Sequence, residues 1–246
     1  MDNNHIIEQL RVDAEYYRGI GRQYLSNSDI GVLLSNPKDY GKYREDSKAF
    51  LEGRYFHQLI LEPHKAVDMP CVDVSSRNTK EYKNYIEETG MEIVMLRKEK
   101  EYVEYLTHVI KSNIVFYDEI YKEGNKYEEP AVGEICGMMW KGKADIITDT
   151  CIIDLKTTSD INKFKYSAKA YNYDSQCYIY QQLFGKPLVF YAIDKETAQL
   201  GVFSPSDNFL ESGRRKVERA VEVYQKYFGP NASDNIINYF INETLD

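Results

Sequence analysis

Apolar residues recur at helical spacing through 47–61, and the pattern stops before Pro63. Weaker helical patterns precede it at 28–34 and 37–44, with Pro37 and Pro63 as punctuation. Beyond it the pattern predicts a short strand over 67–74, a helix over 79–88 closed by Gly90, a strand over 91–96 and a helix over 98–110. The first half therefore reads as mainly α-helical. From about Ala131 the texture changes to short β-like runs, AVGEICGMMWK, KADIIT and CIIDLKTT, which predict three neighbouring strands. A helix over 174–184 ended by Gly185, a buried strand PLVFYAID, a strand QLGVFS and a long helix over 207–227 follow. The expected class is α/β: a mixed central sheet flanked by helices, with a mainly helical N-terminal elaboration.

Composition agrees with one folded unit. At 246 residues, 43% hydrophobic and 28% charged, the chain is long enough for one substantial core with an elaboration, but not for three independent domains. A single domain over 1–246 is expected, divided by texture into about 1–125 (helical elaboration), 126–228 (α/β core) and 229–246 (tail). The net charge of −8 argues against indiscriminate coating of nucleic acid, while leaving room for a local basic groove. The four cysteines, Cys71, Cys136, Cys151 and Cys177, form no CxxC pair and read as free thiols. MDNNHIIEQL lacks the layout of a signal peptide and no run of eighteen apolar residues occurs, so a cytoplasmic protein without a membrane partner is expected.

The segment KADIITDTCIIDLKTT carries the chemistry. If Asp149-Thr150 is a two-residue turn, Thr148 pairs with Cys151, Asp145 lies opposite Asp154, and Lys143 lies opposite Lys156. Strand alternation then puts Lys143, Asp145, Ile147, Ile152, Asp154 and Lys156 on one face, with Ala144, Ile146, Ile153 and Leu155 on the other. Two carboxylates facing each other at roughly 5 Å destabilise a sheet unless something offsets their repulsion. A Mg²⁺ ion does this, since it prefers hard oxygen ligands and needs only one or two protein carboxylates beside phosphate oxygens. The chemistry that uses such a set is phosphodiester hydrolysis, with Lys156 orienting water or stabilising charge. The competing reading is a solvated face of cross-strand ion pairs.

Asp145 followed by Asp154-Leu155-Lys156 resembles the PD-(D/E)XK nuclease motif. The segments YLSNSDIGVLLSNPKDY, EGRYFHQLILEP, KGKADII and IIDLKTTSDINKFKYSAKAYNYDSQCYIY are similar to the exonuclease VIII (RecE-like) group of phage and prophage recombination nucleases. That resemblance implies a restriction-endonuclease-like core. It also implies a metal site of His57, Asp145, Asp154, the backbone carbonyl of Leu155 and a glutamate for which Glu128, Glu129 and Glu134 compete, Glu129 being the choice. Asp145, Asp154 and Lys156 would be catalytic. Gln176 and Tyr180, one helical turn apart, match the family's QxxxY element and would touch DNA near the scissile phosphate. Lys143 stands where the family carries arginine, and as a phosphate contact it lacks the bidentate fork.

Lys141, Lys143, Lys156, Lys163, Lys165 and Lys169 form a locally basic stretch, and Thr157 and Thr158 follow Lys156 as further phosphate donors. Arg214, Arg215 and Lys216 read instead as a solvated face paired with Glu211 and Glu218. Of the 22 tyrosines, Tyr166, Tyr171 and Tyr173 lie nearest the site as stacking platforms. No sequence-reading DNA motif and no P-loop is visible. The resemblance implies an exodeoxyribonuclease using Mg²⁺ or Mn²⁺ on linear duplex ends. It implies 5′-to-3′ digestion leaving 3′ tails, a RecT-type single-strand annealing partner and a homo-oligomeric ring. Rivals are a CRISPR-associated or helicase-linked nuclease of the superfamily, and a catalytically silent DNA-binding module of the same fold.

Overall fold

The computed structural model describes residues 3–43 and 45–242. Eleven helices and seven strands follow one another among these residues. The N-terminal part contains α1 (Asn3–Leu10), α2 (Asp13–Tyr17), α3 (Asn27–Ser35), α4 (Lys48–Leu61), α5 (Pro63–Ala66), β1 (Cys71–Val72), α6 (Lys80–Thr89), β2 (Met95–Leu96), α7 (Arg97–Ser112) and α8 (Ile114–Ile120). The remainder contains β3 (Lys126–Ile135), β4 (Met138–Ile147), β5 (Ile152–Thr158), α9 (Phe164–Ala170), α10 (Tyr173–Phe184), β6 (Leu188–Asp194), β7 (Leu200–Phe203) and α11 (Asp207–Tyr227). No helix among the described residues is long and apolar enough to cross a membrane.

Local signals set many of the boundaries. The Ser47 hydroxyl accepts from the Phe50 N–H and starts α4, as Thr79 does from Tyr82 for α6. Gly90 and Gly185 close α6 and α10 in the left-handed region, where a side chain is costly. Elsewhere the pattern misleads. The helix expected over 37–44 is only a 3₁₀ turn, Pro37–Asp39, and Arg44 lies outside the described residues. The strands expected over 67–74 and 91–96 shrink to the two-residue parallel pair β1 and β2. AVGEICGMMWK is not one strand but the tip of the β3–β4 hairpin: Cys136 and Gly137 both take positive φ, the geometry that two-residue hairpin turns favour. KADIIT is therefore the far end of β4 rather than a strand of its own.

The main sheet has the order β3-β4-β5-β6-β7. Its pairs are antiparallel except for β5 and β6, which are parallel and joined by a crossover through α9 and α10. Each face carries its own core. One face packs Trp140, Ile152 and Phe190 with Ile30 and Leu33 of α3, Phe164 of α9, Cys177 and Ile179 of α10, and Val217 and Ala220 of α11. The other packs Ile146, Ile153, Leu155 and Ile193 with Tyr55, Phe56 and Ile60 of α4, Leu106 and Ile110 of α7, and Phe116 and Ile120 of α8. Helices on both faces explain why β5 and β6 read as nearly continuous apolar runs instead of alternating ones.

Candidate active site

The β4–β5 hairpin has the expected register, Ile146 opposite Ile153 and Ile147 opposite Ile152, and the ladder ends there. Beyond it the strands part, β4 staying with β3 and β5 with β6. Asp145 occupies the gap: its Oδ2 accepts the Leu155 N–H at 2.8 Å, so a side chain replaces the backbone acceptor that a continued ladder would supply. The divergence opens the space in which the other polar groups meet.

Helix α4 crosses this gap and brings His57 into it. The imidazole lies with Nδ1 3.4 Å from Asp145 Oδ2 and Nε2 3.0 Å from the Leu155 carbonyl oxygen. From the other side β3 contributes Glu128, which occupies the position opposite Asp145 and takes a positive φ of 50°, interrupting the ladder between Tyr127 and Glu129. Ligand atoms of His57, Glu128 and Asp145 all lie within 4.8 Å of one another. Glu129, the glutamate favoured from sequence, points elsewhere: Arg11 grips both of its carboxylate oxygens at 2.9 and 2.7 Å. Glu128, at the break in the ladder, is the glutamate that reaches Asp145. The signal was present in the sequence. Reading Cys136-Gly137 as the hairpin turn sets Glu128 opposite Asp145.

Asp154, only 2% exposed, lies on the other side of Asp145. Gln176 of α10 donates to its Oδ1 at 2.6 Å. Oδ2 forms a buried ion pair with Lys156 Nζ at 2.6 Å. Lys156 Nζ lies 4.7 Å from the centre of the Tyr173 ring, with Phe190 behind.

These charges perturb one another in a consistent way. Burial works against ionising Asp145, but His57, Lys156 and the Leu155 N–H outweigh it and hold its pKa below the usual carboxylate value. Asp154 is raised by burial and by the neighbouring Asp145, against the pull of Lys156. Glu128 is pushed up to about 7 by burial and by Asp145. His57 is raised to about 9: burial opposes protonation, and the Asp145 charge overcomes it. Burial likewise opposes the charge on Lys156, but Asp154 raises its pKa and keeps it an ammonium. Two residues at the divergence thus have well-satisfied charges, Asp145 and Lys156. Two others, Glu128 and Asp154, carry an electrostatic burden.

The remaining sequence candidates scatter. Lys143 does not face Lys156: its Nζ bonds Asp13 Oδ1 at 2.7 Å and lies 4.7 Å from the Tyr16 ring centre, which leaves its side chain only 7% exposed. Lys141 is buried against Tyr16 in the same way, bonding its carbonyl, and burial lowers its pKa to about 8. Helix α2, which the pattern did not predict, captures both. Tyr180 is buried, donates to the Lys143 carbonyl at 2.9 Å and accepts its N–H at 3.3 Å, so the hydroxyl clips α10 to β4. Thr157 is half-buried and Thr158 buried, the latter's hydroxyl directed at the Asp160 carbonyl. Lys163 and Lys165 are exposed on and just before α9, the former paired with Asp160 and the latter over Tyr166. Arg214 and Arg215 do pair with Glu211 and Glu218, whereas Lys216 turns inward to Asp174 and Asn172.

The sequence matches the model of a family described as a PDDEXK-like domain of unknown function (DUF3799) over residues 34–232. No curated protein matches it. Among solved structures, a "putative exonuclease" from Eubacterium rectale superposes with a TM-score of 0.64 at 20% identity, covering 96% of each chain. SSO0001 gives a TM-score of 0.40 at 14% identity, covering 92% of this chain and 87% of that one.

Proposed function

Because the chain belongs to the family of PDDEXK-like domains of unknown function (DUF3799), we propose that it is a divalent-cation-dependent deoxyribonuclease acting on the ends of linear duplex DNA. Its five-stranded mixed sheet between two helical layers is the restriction-endonuclease-like core of the PD-(D/E)XK superfamily. The observation that carries the reading is the convergence of His57, Glu128 and Asp145 within 4.8 Å, with the buried Asp154–Lys156 ion pair in the same charged cluster.

The residues fit a hard divalent cation. Carboxylate oxygens predominate, as Mg²⁺ requires, and the single imidazole is compatible with Mn²⁺ as well. His57, Glu128 and Asp145 would hold the ion, with Asp154 close enough to feel the Asp145 charge. When bound, the cation supplies Lewis-acid polarisation of a phosphoryl oxygen and lowers the pKa of a water. Gln176 keeps Asp154 oriented by bonding Oδ1, while Oδ2 pairs with Lys156. Lys156, whose ammonium is favoured by Asp154, would serve as a positive charge for the phosphoryl oxygens and as an orienter of water. Tyr180 acts as a positioning residue through the β4 backbone rather than by touching DNA.

The similarity to recombination exonucleases supports 5′-to-3′ digestion, 3′ single-stranded tails, a RecT-type annealing partner and a ring-shaped homo-oligomer as the finer reading. Against an iron–sulfur relative, the cysteines do not converge: Cys177 lies in one core, Cys71 and Cys151 border the other, and Cys136 is exposed at a hairpin tip. The test is incubation with end-labelled linear duplex and with closed circular duplex, each with Mg²⁺ or EDTA. Metal-dependent loss of label from the linear form alone supports the proposal. Cutting of circles removes the preference for ends, and inertness toward both removes the nuclease.

A further inference from the structure

The segment between α9 and α10 is built in an unusual way. Asn172 takes a left-handed conformation, φ 58° and ψ 36°, that non-glycine residues adopt at a cost. It is held there from three sides. Asn27 Nδ2 and Ser175 Oγ donate to its carbonyl at 3.1 and 2.9 Å, and Lys216 Nζ donates to its side-chain oxygen at 2.8 Å. The result of this bend is to split two tyrosines. Tyr173 turns inward, its ring 4.7 Å from Lys156 Nζ and backed by Phe190 at 5.3 Å and Phe164 at 6.0 Å. Tyr171 turns outward, 67% exposed, with its ring centre 6.0 Å from that of Tyr173 at an angle of 37°. A rigid aromatic step therefore leads from the lysine of the site to solvent.

Charge beside the step identifies what it suits. Helix α9, FKYSAKA, which leads into the step, carries the exposed Lys165 and Lys169 and no acid, and Lys163, just before it, pairs with Asp160. An exposed aromatic ring on a basic segment is an arrangement by which proteins hold single-stranded nucleic acid: phosphates follow the cations and a base stacks on the ring. A base inside a duplex has both faces stacked on its neighbours, so the step suits an unpaired base, or the exposed face of a terminal pair.

We propose that Tyr171 and Tyr173 form a stacking step that receives an unpaired nucleobase of the DNA strand passing Lys156, with Lys165 and Lys169 along its phosphates. This rests on the nuclease reading for the identity of the strand, but stacking itself requires no cleavage. Separation of the strands at a duplex end would then be assisted by the step, and Asn172 sets its angle.

The full chain, in EDTA, is titrated with a short single-stranded oligodeoxynucleotide containing 2-aminopurine, whose fluorescence is quenched on stacking. The wild-type protein should bind and quench. Tyr171→Ala should bind about 5- to 150-fold more weakly, the loss expected for one base–aromatic contact, with the quench abolished. Tyr171→Phe should retain both, and because Tyr171 is exposed each variant should melt with the wild type. Equal affinity and quench for wild type and Tyr171→Ala overturn the proposal, as does wild-type protein that leaves the probe unquenched. Cleavage of duplex in Mg²⁺ is scored separately: a protein that cuts duplex but ignores Tyr171 refutes only the step, and one that cuts nothing refutes the nuclease.

Discussion

Glu128 bears the cost of assembling the site without its cation, and replacing it with glutamine should stabilise the metal-free protein. Its carboxyl ionises near 4.5 ordinarily and at about 7 in the fold, because burial and the Asp145 charge both oppose its negative charge. An acid whose folded pKa is raised binds more protons folded than unfolded. The favourable difference is complete below pH 4.5 and is lost as pH rises through 7. At pH 8 the full shift corresponds to about 3 kcal/mol at 1.36 kcal/mol per pH unit. Since Glu128 is half-buried and screened by water on one side, about 1.5–3 kcal/mol is the usable range. Glutamine keeps the shape and removes the charge. For a chain of this size Glu128→Gln should raise the melting temperature in EDTA at pH 8 by about 3–10 °C and have little effect at pH 4.5. The same variant should lose the extra stability that Mg²⁺ or Mn²⁺ gives the wild type. Differential scanning fluorimetry across pH 4.5 to 9, with EDTA and with cation, reads both effects. A lower melting temperature for the variant at pH 8, or undiminished stabilisation by the cation, would refute the placement of Glu128. Asp145, by contrast, has His57 and the Leu155 N–H for partners.

Four further outcomes are expected. His57, raised to about 9, must lose its proton to accept a cation, so Mn²⁺ affinity measured by calorimetry should strengthen steeply between pH 7 and 9 and level off above; a constant affinity over that interval would exclude His57 as a ligand. The protonated His57 also stabilises the metal-free fold, fully below 6.5 and decreasingly up to about 9, so His57→Gln should flatten that part of the stability profile. Lys156→Met and Asp154→Asn should each lower cleavage at least about 10²-fold while the circular dichroism stays native. Retention of near-wild-type rates in either would displace the catalytic assignment. Finally, Glu129→Gln, which breaks only the half-exposed pair with Arg11, should leave cleavage within about threefold and cost about 0–1 kcal/mol of stability. Loss of activity as complete as in Glu128→Gln would restore Glu129 as the functional glutamate.

Strand periodicity and turn chemistry made the centre of the site legible in advance: the β4–β5 register, the juxtaposition of Asp145 with Asp154, and the helix that carries Gln176 all follow from local rules of spacing. The motif residues were recognisable because a strand alternates with period two and leaves little choice of face. The choice among Glu128, Glu129 and Glu134 needed the register of a second hairpin, hidden because Cys-Gly is not an obvious turn pair and because Glu128 breaks its ladder with a positive φ. The fate of Lys143 was beyond local rules altogether. Its apparent freedom to meet a phosphate ended when α2, some 130 residues earlier in the chain, placed Asp13 against its ammonium. The sequence by itself determined which short elements form, since those depend on neighbours a few positions apart. The predicted faces hold along β5 but not along β4, where Ala144 packs with Ile152 and Ile146 packs with Ile153 and Leu155. Only the tertiary structure decided where the strands diverge and which distant helices fill the gap, and hence that His57, Glu128 and Asp145 meet while the Lys143 and Glu129 side chains are held elsewhere. Those outcomes come from packing two cores against opposite faces of one sheet, and no window along the chain contains that information.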